Sequence, residues 1–314
     1  MYSKMPMGRA AALGVLTLAL MPVPTIQAAG ALAAQDRIQE RHELRPDAAV
    51  DISTVSHRVR VERWDRNEIE VTGTYDADRE ELEVRAQPGS FRLQIRVRNG
   101  RGWTRRGSAE LLVRVPEGVR LDVGSVSGSI QVQGLRGQVA VRSVSGSATV
   151  GGSPRTLAME TVSGGISFQG ASETLRASTV SGSVQVEGEV VSARANSVSG
   201  QVHVISSAPV DRVEFNSVSG SVRFEGPVAS TGILQVESHS GQVELLLVGP
   251  VNARFDLSTF SGRLDHSLEG AQDERRHRPR WGPGEELTFT VGSGDARIEA
   301  NSFSGSVRIR EVRR

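Results

Sequence analysis

The residues best placed to do chemistry in this chain are nine serines that recur within one phrase: serine or threonine, an apolar residue, serine, glycine. Ser127, Ser145, Ser163, Ser181, Ser199, Ser219, Ser240, Ser261 and Ser304 each precede a glycine. A nucleophilic serine needs one positioned base, so nine equivalent copies point instead to a structural column joined by mutual hydrogen bonds. No helical pattern follows any of them, unlike the strand-to-helix elbow of hydrolases. Six histidines, His42, His57, His203, His239, His266 and His277, keep no metal-ligand spacing. His203 and His239 come nearest to a pair, but a repeat carrying Ser221-Val222-Arg223 separates them. His239 stands where most other phrases carry valine, which reads as an adjusted interior position.

Carbohydrate-cleaving β-helices gather carboxylates in a groove. The outward positions here read Ser129, Gln131, Gln133, then Ser147, Thr149, then Ser183, Gln185, Glu187, then Ser221, Arg223, Glu225, a mixed polar face without an acidic pair. Convergence of Asp211, Glu214 or Glu244 is the arrangement that would favour an enzyme. Two basic stretches each set arginines beside a tryptophan, a combination suited to anionic surfaces, lipid headgroups or glycans. One contains Arg101, Trp103, Arg105 and Arg106; the other contains Arg275, Arg276, Arg278, Arg280 and Trp281. These are the candidate binding loops. No catalytic, cofactor or metal residue is expected.

The elements that position these residues are strands. The phrase glycines Gly128, Gly146, Gly164, Gly182, Gly200, Gly220, Gly241, Gly262 and Gly305 are spaced by 18, 18, 18, 18, 20, 21, 21 and 43 residues. Such a period marks a repeat architecture. Within a repeat the apolar period is two: Leu175, Ala177 and Thr179 on one side of the phrase, Val184 and Val186 on the other. The two alternations are out of phase, and the slip falls between Thr179 and Val180, which places a corner there. A second bend falls near Gly188, and glycine serves both bends through its access to positive φ. Each repeat is then one coil of two short strands, and coils stack in chain order at about 4.8 Å. About nine coils make a β-solenoid on the order of 40 Å long.

Residues 34–120 are strand-rich but lack the repeat. Thr54-Val55-Ser56-His57 reads as a degenerate first copy, with His57 at the glycine position. This block is expected to cap the first coil, since open strand edges invite aggregation. The solenoid domain spans 121–314. Residues 270–286, charged and rich in Pro and Gly, are expected to form an inserted basic loop, with an extra strand at Leu287 to Val291. Val307-Arg308-Ile309-Arg310 and the final arginines are expected to blunt the far edge with charge.

Residues 1–33 have the layout of a secretory signal peptide: Lys4 and Arg9, an apolar run from Ala10 to Leu20, and an Ala31-Leu32-Ala33 cleavage site. The apolar run is too short to span a bilayer, and the mature chain offers no other candidate. Removing Lys4 and Arg9 from the 37 basic residues leaves 35 against 36 acidic ones, so no global field favours nucleic acid. Lys4 is the only lysine, which excludes Schiff-base chemistry in the mature chain. There is no cysteine, hence no disulfide, thiolate metal site or lipid-modified cysteine.

The chain resembles the bacterial "putative adhesin" β-strand-repeat family, domain-of-unknown-function family 4097. The resemblance rests on the Ser/Thr-Val-Ser-Gly phrases and on the run from Val55 to Asp65. The Leu112-Val113-Arg114-Val115-Pro116-Glu117-Gly118-Val119 step and the closing Gly292-Ser293-Gly294 add to it. It implies an all-β fold and an exported or membrane-attached envelope protein without known catalysis. The expectation is therefore an exported, non-catalytic adhesin-like binding or scaffold module in the periplasm, at the cell surface or secreted. Its partner would be an envelope protein, a glycan or an anionic surface. A polysaccharide-processing β-helix enzyme and an envelope stress or signalling sensor are the alternatives.

Overall fold

The computed structural model describes residues 36–98, 109–278 and 283–312. The signal-peptide reading of residues 1–33 falls outside them. Every element among the described residues is a β-strand. Val, Ile and Leu at alternate positions fill the pleats, and the intervening polar residues face out. Each coil supplies one strand to each of two faces, and both inner surfaces share a single continuous core.

In spatial order, the first face begins with β5 (Glu80–Gln87), β6 (Ser90–Val97), β2 (Ala49–Thr54) and β8 (Arg120–Ser125). Then come β10 (Gln138–Ser143), β12 (Thr156–Thr161), and the second halves of β13 (Ile166–Thr179) and β14 (Val184–Ser197). It ends with β16 (Val210–Ser217), β18 (Val228–Ser238), β24 (Ala296–Ser302), β20 (Ala253–Thr259), β23 (Glu285–Val291) and β22 (Ala271–His277).

The second face runs β1 (Asp36–Glu43), β4 (Glu68–Tyr75), β7 (Glu110–Pro116), β3 (Arg58–Trp64), β9 (Ile130–Leu135) and β11 (Ala148–Gly152). The first halves of β13 and β14 follow, then β15 (Val202–Ser206), β17 (Val222–Gly226), β19 (Val243–Val248), β25 (Val307–Val312) and β21 (Leu264–Ser267). Coil stacks on coil with parallel pairing. The antiparallel pairs, β1 on β4, β4 on β7, β5 on β6, β23 on β20 and β22 on β23, are confined to the two ends.

The β-solenoid expected from the repeat is present, with two departures in its order. Near the N-terminal end, β6 and β7 lie outside the β2–β3 coil, although they follow it in sequence. At the other end the last coil, β24–β25, is inserted between β18–β19 and β20–β21. Stacking therefore does not follow chain order there. Nor is Val307 to Arg310 an edge: β25 is bonded on both sides, and its charge blunts nothing. Nearly identical phrases make each coil an acceptable neighbour for several others, so sequence spacing alone does not dictate which layer sits where.

Residues 270–286 also differ from the expected loop. Ala271–His277 is a strand, hydrogen-bonded antiparallel to β23. Six of its seven residues are exposed, so no apolar alternation marks it. The ladder slips between Gln272 and Arg275, where Asp273 adopts a left-handed backbone with φ 53°.

The two bends use glycine differently. At the bend near Gly188 the left-handed region is occupied: φ is 127° at Gly152, 145° at Gly170 and 137° at Gly188. At the phrase corner, Gly182 has no such backbone. It is required because a Cβ there would lie 2.0 Å from the carbonyl oxygen of Gly164, one coil below. The chain approaches itself too closely for any side chain.

Candidate binding face

The corner of each coil is fixed by its phrase, and the phrase orients four side chains. The first serine or threonine is buried, and at Ser125, Ser143, Thr179, Ser197 and Ser217 its oxygen accepts the N–H of the glycine three residues on. This occurs from Gly128 to Ser125 at 3.0 Å, Gly146 to Ser143 at 2.9 Å and Gly182 to Thr179 at 3.0 Å. The second serine is exposed, and its hydroxyl donates to the valine carbonyl of the coil below, as Ser145 does to Val126 at 3.1 Å. Ser127, Ser163, Ser181, Ser199 and Ser219 repeat that bond. The exposed serines thus bond across layers to backbone, rather than to one another as the repeat alone suggested. With their protons donated to layer-to-layer contacts, these six serines serve as fasteners of the corner.

The apolar residue of the phrase points outward. Val126, Val144, Val162, Val180, Val198, Val218, Phe260 and Phe303 are each between 44% and 48% exposed. This corrects the reading of His239 as the substitute for an interior valine: its column is an external ridge. The phase slip between Thr179 and Val180 already contained the signal. If Thr179 faces in, its neighbour Val180 faces out. Toward the C-terminal end the ridge becomes aromatic. His239, Phe303 and Phe260 stack in parallel on successive layers, with ring centroids 4.8 Å apart in both pairs.

Beside the ridge, the outer surface of the first face carries two polar columns set by register. The nearer holds Ser178, Asn196, Asn216, Glu237, Asn301 and Ser258. The farther runs through Arg194, Glu214, Gln235, Glu299 and Asp256. Hydrogen bonds link the layers: Asn196 donates to Ser178 at 3.4 Å, Asn216 to Asn196 at 3.1 Å, Ser258 to Asn301 at 2.7 Å and Gln235 to Glu299 at 2.9 Å. Arg194 is paired with Glu214. Ridge and columns enclose an open groove of about 800 Å³ whose wall is His239, Phe303 and Phe260 and whose floor includes Asn196, Asn216, Glu237 and Asn301. A second stretch of groove continues over the N-terminal coils, where Arg142 and Glu160 replace the amides. Single outward residues gave no hint of these columns; they emerge only when repeats of 18, 20 and 21 residues are aligned layer by layer.

The other sequence candidates are dispersed. Arg101, Trp103, Arg105 and Arg106 lie outside the described residues, as do Arg280 and Trp281. Arg275 sits on β22 opposite Thr288. Arg276 and Arg278 both bind Glu285, at 2.5 Å and 2.9 Å. Burial raises the Glu285 carboxyl, but hydrogen bonds from Arg278 and Arg276, with their charges, outweigh it and leave the group below its usual range. Two of the candidate arginines thus compensate a buried carboxylate at the end of the core. His203 lies on the outer surface of the second face, away from His239 in the ridge. Glu214 and Glu244 are likewise on opposite faces, Glu214 paired with Arg194 and Glu244 with Arg223. They do not converge.

His57 is fully buried beneath the N-terminal strands. Its carbonyl oxygen stands at the base of the glycine column, 1.7 Å from where a Cβ on Gly128 would be. Its Nε2 is 3.5 Å from Glu80 Oε2. Burial depresses its pKa, and the charge of Glu80 opposes this only in part.

Stacked parallel coils, a fastened serine corner and antiparallel end strands define a β-solenoid of toast-rack form. The profile of the Toastrack DUF4097 family matches residues 48–310, and the chain belongs to that family. Among curated proteins, none matches the chain. Solved structures similar to it include a "putative lipid binding protein" from Parabacteroides distasonis, at 16% identity and TM-score 0.44 over 88% of this chain and 97% of that one. A "putative adhesin" from Parabacteroides merdae has 9% identity and TM-score 0.44 over 88% and 96%. A "putative cell adhesion protein" from Clostridium sporogenes has 10% identity and TM-score 0.22 over 88% and 100%.

Proposed function

We propose that the mature chain is an exported, non-catalytic, adhesin-like module of the cell envelope that holds its partner on the ridge-and-groove face. One observation carries the reading: a column of exposed side chains from Val126 to Phe260, apolar at every layer but that of His239, runs along one corner. Scattered surface valines need no explanation, but a contiguous apolar strip beside a polar groove is the usual mark of an interaction surface. Export is supported by the charged, apolar and small-residue order of residues 1–33. The non-catalytic reading is supported by the placement of Glu214 and Glu244 on opposite faces, each paired with an arginine, and by the layer-to-layer bonds of the serine hydroxyls.

The test is saturable binding of the purified mature protein to cell-envelope preparations, compared with a V144D/V180D/V218D variant. Binding by the parent and its loss in the variant is the expected result. An absence of saturable binding by the parent overturns the reading. Release of reducing ends from envelope polysaccharide would replace it with the enzymatic alternative.

A further inference from the structure

The groove at the C-terminal half of the ridge adds aromatic rings to the valine strip. Its wall continues from Val198 and Val218 into three parallel rings, His239, Phe303 and Phe260, one per layer. Its floor is built from side-chain amides and hydroxyls: Asn196, Asn216, Asn301 and Ser258, with Gln235 behind them. The amides are held in place by hydrogen bonds along the column, so their orientation is set before any ligand arrives. A preorganised donor–acceptor surface loses little side-chain entropy on binding.

Charge decides among the ligand classes that aromatic rings and amides could serve. The groove contains the carboxylates of Glu214 and Glu237, and Glu299 and Asp256 lie in the farther column just beyond. Arg194 at its edge is paired with Glu214. Such a surface repels phosphate, uronate and lipid headgroups rather than attracting them. What it offers is many fixed hydrogen-bonding groups beside apolar rings, repeating once per layer along the stacking axis. A polyol chain with an apolar ring surface and many hydroxyls matches both features, since unpaired polar groups on either partner would be costly.

Resting on the binding reading above, we propose that this groove is a site for an uncharged polysaccharide chain lying along the solenoid axis. The rings of Phe303 and Phe260 contact sugar ring surfaces, while Asn216, Asn301 and Glu237 bond to hydroxyls.

The experiment is calorimetric titration of the mature protein with cellohexaose, laminarihexaose, maltohexaose and mannohexaose. Oligogalacturonate and phosphatidylglycerol vesicles serve as anionic probes, and F303A, N216A and Q185A as variants. Phe303 is half exposed and Asn216 lies on the surface, so folding is checked by thermal unfolding of each variant. Binding of at least one neutral hexasaccharide is expected. It should weaken about tenfold or more in F303A and in N216A, the loss typical of a binding hot spot, and remain unchanged in Q185A on the opposite face. Three results overturn the proposal: no neutral hexasaccharide binds, F303A and N216A bind as the parent does, or the anionic probes bind in preference. If the parent still binds envelope preparations through the valine ridge in any of these cases, only the groove site or its ligand class fails. If it binds neither, the wider reading fails with it.

Discussion

Glu285, the first residue of β23, lies directly opposite Thr259 on β20, extending the buried column of serines and threonines by one acidic member. Each layer from β2 to β20 ends its inward row with a hydroxyl; this layer ends it with a carboxylate clasped by Arg276 and Arg278. The β22–β23 hairpin that covers β20 is thereby tied to the core by a charged contact.

Replacing Glu285 by glutamine should destabilise the fold at neutral pH by roughly 1–3 kcal/mol, because two arginines then face a neutral amide. The folded carboxyl is held below 4.5, so its contribution is full above the unfolded value. It is lost as pH falls through the folded value. Urea unfolding across the acidic range should show the parent and E285Q approaching each other below about pH 4.5. Parallel curves throughout would show that the clasp contributes nothing.

His57 makes the opposite prediction for mildly acidic conditions. Its folded pKa lies below 6.5, so the unfolded chain takes up the proton first. Stability should therefore fall as pH drops through 6.5 and level off below the folded value, by about 1.4 kcal/mol for each unit separating the two. In His57→Leu that slope between neutral and mildly acidic pH should vanish. Persistence of the slope would assign it to other groups.

Gly182→Ala should cost more than about 1 kcal/mol, since the new methyl meets the backbone oxygen of Gly164 at 2.0 Å. Gly124→Ala is the matched control. Nothing lies within 4 Å of its Cβ position, so its effect should stay within about 0.5 kcal/mol. Equal midpoints for the two variants would remove close approach as the reason for the glycine period.

The two serines of one phrase should separate in the same assay. Ser143→Ala leaves the buried N–H of Gly146 without its 2.9 Å acceptor and should cost about 1–3 kcal/mol. Ser145→Ala removes an exposed hydroxyl whose acceptor, the Val126 carbonyl, keeps the Ser145 N–H at 2.9 Å, and should cost less than about 1 kcal/mol.

Much of this architecture can be read before any coordinates. The alternation of Val184 and Val186 against Leu175 and Ala177 specifies strands, their inner surfaces and the corner between them. His57 is recognisable as the first corner because the residues around it keep the phrase. What escapes is long-range order. Nothing local distinguishes Gly305 from Gly262 as the neighbour of Gly241, since both corners offer the same close carbonyl. Ala271–His277 escapes for another reason: a strand held by one antiparallel partner needs no buried row, and its exposed arginines read as a loop. The groove escapes because Asn196, Asn216 and Asn301 become neighbours only through the stacking register.

The insertion of β24–β25 beneath β20–β21 has a consequence for how the polypeptide is completed. Residues 253–267 leave the ribosome before the layer that must support them, so they wait without a parallel neighbour until residues 296–312 arrive. Shortening the chain at its C-terminus would not trim the stack from its tip. It would excise an interior storey and leave the roof, hairpin included, with nothing beneath it.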